Sequence, residues 1–299
     1  MAIQLVGLVL LLVVGVLALL ITTAFASSGI RRSRVEAFAR RQRLVLTPAS
    51  APHVLRAMVI THRWRRFGLA VGLVAGLGYA ATKGRLTIDF VAMFLGWFAG
   101  AVVAEWRISS LPVDGPRRTA GLSRRTVGSY VNRVNRGWLG LALVLLAVGL
   151  VSAGVATLRD FRSMPWLGWA GGCLLVGGLL WATAMRVVRR PQPATGADLV
   201  DADDALRGHA LTVLSGCTIA AAGVGSAEFV SELGRSAGGS QSPWGVVAFL
   251  VFVLSVVLGW FVASRSTPVR AIGLGAARTV PAAPVGAEAP ARVKGPGRG

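Results

Sequence analysis

GWLGLALVLLAVGLVSAGVATL, residues 137–158, sets how the rest of the chain is read. It contains no ionisable side chain, and Arg133, Arg136 and Arg159 stand at its two ends. A helix rises about 1.5 Å per residue, so roughly 20 apolar residues cross a hydrocarbon core of about 30 Å. This stretch meets that length, and lipid is its expected solvent.

Working outward, six further stretches come near the same length. Residues 4–26 are equally free of charge, and residues 244–264 are as apolar. Residues 67–82 are short, and after a turn carrying Lys83, Gly84 and Arg85 they are followed by 88–104, which makes a helical hairpin. Residues 166–185 pair in the same way with 137–158. The weakest stretch is 208–227, rich in Gly, Ala, Ser and Thr, which could be re-entrant. Its hydroxyls can bond back to their own helix, so it too is read as spanning. The expected fold is all-α: a polytopic transmembrane helical bundle of seven spans within residues 1–263. A tail of Pro, Ala, Gly and Arg over 265–299 follows, where Pro281, Pro284, Pro290 and Pro296 oppose a stable helix.

Composition agrees. With 54% apolar and 15% charged side chains and a mean hydropathy of +0.64, the chain is too apolar for an ordinary soluble domain. Its net charge of +20 would suggest nucleic acid if the basic residues clustered on a soluble face. Instead they fall in alternate gaps between the apolar stretches. Of 32 basic residues, 27 lie in residues 27–66, 105–136, 186–207 and the tail. The positive-inside rule accounts for that bias and places the amino terminus outside and the carboxyl terminus in the cytoplasm of a bacterial cell. The near-exclusive use of Arg over Lys, with abundant Ala, Gly and Val, suggests a GC-rich bacterial genome. Ala24-Phe25-Ala26 has the form of a signal-peptide cleavage site, but the basic residues follow the first apolar run rather than precede it, as in an uncleaved anchor.

Glycines recur at helix-packing spacing: Gly68, Gly72 and Gly76, then Gly96 and Gly100, then Gly168 and Gly172. Small residues let backbones approach closely in lipid. Internal packing is the simpler reading, and a dimer face or substrate path the functional one. RRSRVEAFARRQR, residues 31–43, forms a basic helix suited to the inner leaflet, with Arg31, Arg32, Arg34, Arg40, Arg41 and Arg43 as contacts for anionic headgroups.

Asp198, Asp201, Asp203 and Asp204 are the one acidic cluster, and they could hold Mg²⁺ against a phosphorylated substrate. The plainer reading is a helix start, with acids at the positive dipole end and Asp203 paired to Arg207 at i,i+4. No P-loop, no nucleophile elbow and no His or Cys cluster is present, and no motif asks for a cofactor. Cys173 and Cys217 sit in apolar runs and read as small hydrophobes. Asp89 and Glu105 read as helix ends, leaving no ionisable group inside a span and hence no basis for proton coupling.

AEWR at 104–107, PRRTAGLSRRTVGSYV at 116–131 and RRPQPATGADLVDADDALRGHA at 189–210 resemble segments of multi-pass membrane proteins of actinobacteria, a group without an assigned activity. The resemblance implies a cell-membrane location and nothing catalytic. The expected function is therefore a non-catalytic accessory or interaction protein, whose partners are membrane lipids and a protein or a second copy of itself. A permease subunit is the alternative, and an enzyme acting on a phosphorylated lipid through the Asp cluster a third.

Overall fold

The computed structural model describes residues 32–82, 84, 90–111, 126–159, 164–191, 197–236 and 243–265. The apolar run at 4–26, Arg31, Asp89 and the tail beyond 265 lie outside the described residues. Among those described there are eight helices and no strand. They are α1 (Arg32–Gln42), α2 (Ser50–Thr82), α3 (Phe90–Ser109), α4 (Val127–Tyr130), α5 (Arg133–Arg159), α6 (Met164–Arg189), α7 (Ala197–Ser236) and α8 (Pro243–Ser264).

Five of these carry stretches long and apolar enough to cross a membrane: α3, α5, α6, α7 and α8. The expected span at 67–82 is the carboxyl-terminal half of α2, which runs 33 residues and begins well before it. Outward-facing residues are large and apolar, including Val144, Val148 and Val151 on α5 and Leu250, Leu254 and Val257 on α8. So continuous an apolar surface would be a liability in water and is what lipid requires.

The stretch read from the sequence as the weakest span, 208–227, lies in the helix that forms the centre. α7 is 40 residues long, about 60 Å at about 1.5 Å per residue, and packs against α2, α3, α4, α5, α6 and α8. In its most apolar 18-residue stretch 89% of the residues are buried. Its Gly, Ala, Ser and Thr keep the helix thin, and Thr212, Ser215, Thr218 and Ser226 each donate to the carbonyl four residues back. Polar side chains are thereby satisfied within the helix, and its surface stays smooth for neighbours.

Glycine contacts hold two pairs of helices at backbone distance. Between α2 and α3, a Cβ on Gly68 would lie 2.8 Å from the Gly100 nitrogen, and one on Gly96 would lie 2.6 Å from Gly72 Cα. Gly76 is buried on the same helix. Between α7 and α8, a Cβ on Gly216 would lie 2.8 Å from Ala263 Cβ, and one on Gly259 would lie 2.9 Å from Ala220 Cβ. Gly223 of α7 likewise faces Ser255 of α8, and since Gly216 and Gly223 stand seven residues apart, the four-residue spacing read from the sequence does not reveal this second pair. At Gly168 and Gly172 a Cβ would meet nothing within 4 Å, so the packing role expected of them has no described neighbour.

Side-chain contacts gather the amino-terminal halves of α2 and α7 with the carboxyl-terminal ends of α3 and α6. Val54, Ala57, Ile108, Ala202, Ala205 and Leu206 form one apolar cluster there, joined by Val35 and Phe38 of α1. α1 therefore lays its apolar face on the bundle, not on lipid. Arg34, Arg40, Arg41 and Arg43 remain exposed.

Candidate functional site

Two buried polar clusters occupy the end where α1, α2, α3, α6 and α7 meet. The first is built on Asp203, which is 2% exposed. Arg207, one turn later on α7 and 0% exposed, donates from Nε to Asp203 Oδ2 at 2.8 Å. Arg190, just past the end of α6, also donates to this carboxylate. The remaining donors of Arg207 go to the end of α6: to Val188 O at 3.0 Å, Arg190 O at 2.7 Å and Pro191 O at 3.3 Å. A helix leaves its last carbonyls unpaired and carries partial negative charge there, so a guanidinium is a fitting cap. Tyr130 of α4 donates to Asp204 Oδ1 at 3.1 Å.

The acidic stretch is thus largely a clasp. Asp203 is saturated by two arginines, Asp204 holds Tyr130, Asp198 is exposed in the first turn of α7 and Asp201 is half-buried. Among the described residues no three His, Cys, Asp or Glu gather as metal ligands. His53 of α2 reaches within 4.0 Å of Asp203 Oδ1, yet its Nε2 makes no hydrogen bond. Burial pushes the His53 imidazole below the ordinary 6.5; Asp203 opposes that shift, and Arg190 and Arg56 reinforce it. His62, 3.5 Å from Arg34 Nη1, is lowered first by burial and then by Arg34, Arg66 and Arg65.

The second cluster overturns an expectation. Glu105 reads as a helix end, but α3 continues to Ser109 and buries Glu105 to 5% exposure. Arg65 of α2 lies close enough to feel its charge and stacks its guanidinium 5.3 Å from the Trp97 ring centroid. Although Arg65 is half-exposed as a residue, its Nε and Nη2 are enclosed and unpartnered. Ser109 Oγ, His209 Nδ1 and both amide atoms of Gln42 share that condition. The His209 ring meets Phe38 edge-on at 5.7 Å. Nothing in hydropathy marks these residues, because the burial of each is set by how the helices cross.

Arginine–aromatic pairs ring the same end: Arg107 over Trp64 at 5.7 Å and Arg186 over Trp106 at 4.7 Å. Trp106 Nε1 also donates to Thr183 Oγ1 at 3.0 Å. Farther along the bundle a groove of about 200 Å³ opens between α5, α6 and α7, lined by Leu143, Leu146, Cys173, Val176, Thr218 and Gly225 among others. Its walls are almost wholly apolar. Cys173 is half-buried there and Cys217 is buried, both as free thiols.

No protein-family model, curated protein or solved structure matches this chain.

Proposed function

We propose that the chain is a seven-span protein of the bacterial cytoplasmic membrane, amino terminus outside and carboxyl terminus inside, acting as a non-catalytic accessory protein. In this reading its basic cytoplasmic end contacts anionic phospholipid and a protein partner or second copy. The observation that carries it is α1. Its apolar residues Val35, Phe38 and Ala39 are used up on the bundle, while Arg34, Arg40, Arg41 and Arg43 face outward. A helix docked by one face and charged on the other is held as a cationic surface, at about 1 kcal/mol per basic residue near an anionic leaflet.

Lipid retained by the purified protein tests this. The wild type should co-purify with anionic phospholipid in preference to zwitterionic phospholipid, by native mass spectrometry. A variant with Arg34, Arg40, Arg41 and Arg43 all changed to Gln should lose the preference. Equal retention of both classes by the wild type refutes the reading.

A permease is the second reading, favoured by one observation. Glu105, buried in a helix long and apolar enough to span, is the ionisable group that transport coupling calls for. The apolar lining of the groove between α5, α6 and α7 weighs against it.

A further inference from the structure

Every described residue lining the groove between α5, α6 and α7, from Leu95 of α3 to Gly225 of α7, lies in a stretch long and apolar enough to cross a membrane. What enters the groove therefore comes from the bilayer interior. The gap exists because α5 and α6, though consecutive, both pack on α7 and hardly on each other among the described residues. Glycine placement keeps it open. At Gly68 and Gly216 the missing side chain lets a neighbouring helix close in, whereas a Cβ on Gly172 or Gly177 would meet nothing within 4 Å, and both line the groove. Glycine is a poor helix former, and here no close helix approach accounts for it.

The walls offer little to a polar guest. Among the described lining residues only Thr218 and Cys173 carry a polar side-chain atom. Thr218 Oγ1 donates its proton to Leu214 O at 2.8 Å, and a free thiol behaves as a small hydrophobe. Water needs two or more polar partners to remain in a cavity, and apolar cavities of about 150 Å³ stay dry yet take up apolar guests. Size then decides among apolar guests. One turn of helix with its side chains fills about 400 Å³, as a cylinder about 10 Å across and about 5.4 Å tall, whereas the groove measures about 200 Å³. It cannot seat the backbone of a further helix, from this chain or a second copy, but it can seat a flexible alkyl chain.

We propose that the groove seats one acyl chain of a bilayer phospholipid, which fills the gap between α5 and α6 and joins them. This rests on the membrane reading above but not on the contact of α1 with anionic lipid, since no charged residue is among the described lining residues and the chain is taken whatever its headgroup.

The test uses the full-length protein in nanodiscs of phosphatidylcholine, doped with phosphatidylcholine that carries a diazirine midway along one acyl chain. After photolysis and digestion, mass spectrometry locates the labelled residues. Label on Leu146, Cys173 and Val176 should exceed severalfold that on Leu250 and Leu254, which face outward on α8 and meet only passing lipid. Gly177→Leu sends a side chain into the groove and should cut groove label severalfold. Gly178→Leu is equally open but off the lining, and should leave it unchanged. Gly172→Leu repeats the first variant in case Gly177→Leu misfolds. Added phosphatidylcholine should also raise the thermal midpoint of the detergent-purified wild type more than that of Gly177→Leu, and an equal rise overturns the bridging role. Label on α8 with no excess in the groove, as when protein covers it, or groove label in Gly177→Leu and Gly172→Leu like that of the wild type, overturns the assignment alone. Absence of label from both α8 and the groove overturns the membrane reading on which it rests.

Discussion

Arg207 binds Asp203 one helical turn away on α7 and, with the same guanidinium, caps the carbonyls of Val188, Arg190 and Pro191 at the end of α6. One side chain thus joins two helices and neutralises a fully buried carboxylate. Removing one member of a buried pair leaves an unpaired charge, which costs about 3–5 kcal/mol. Asp203→Leu, which leaves the buried Arg207 and Arg190 without their carboxylate, should lower stability by about that amount in equilibrium unfolding from detergent. The triple variant Asp203→Leu with Arg190→Met and Arg207→Met should recover a substantial part, because it removes all three charges.

At the α2–α3 crossing, Gly96→Leu must push the helices apart, since even a Cβ there would meet Gly72 Cα at 2.6 Å. A loss of about 1–3 kcal/mol is expected from such overpacking, read as a lowered thermal midpoint. Gly168→Ala, at a position open to 4 Å, should stay within about 0.5 kcal/mol of the wild type.

His53 and His62 stand on the amino-terminal half of α2, outside the apolar stretch, and both are depressed below 6.5 by burial first. The folded protein therefore binds fewer protons than the unfolded chain just below pH 6.5. Stability on this account is fully present above that pH and falls as the pH drops through it. Thermal midpoints at pH 7.5 and 5.0 should show the decline, and His53→Gln together with His62→Gln should flatten it. A midpoint that rises on acidification contradicts this account.

Reporter fusions give the topology a direct check. Fusions at Gly115 and Gly196 should report cytoplasm, and fusions at Lys83, Arg162 and Gly239 the opposite side. A cytoplasmic signal at Arg162 would mean that residues 137–158 do not cross.

The helices at 137–158 and 244–264 are legible because apolar length is a local property: lipid asks only that about 20 residues be greasy and helical. The Asp203–Arg207 pair is legible for a similar reason, since i,i+4 spacing places both on one face of any helix. Hydropathy does not mark α7 as the centre, where small and hydroxylated residues allow six other helices to approach it. Nor does local pattern show that the apolar side of α1 docks on protein.

By itself the sequence determined an all-α chain of membrane type, the alternation of basic and uncharged segments along it and its sparing use of acids, because these depend on composition and neighbouring residues alone. Tertiary structure decided which helix is central, that Arg190 completes the Asp203 clasp, and that Glu105 is buried. Those features depend on how distant helices cross, and burial of a charge is set by what the crossing brings against it.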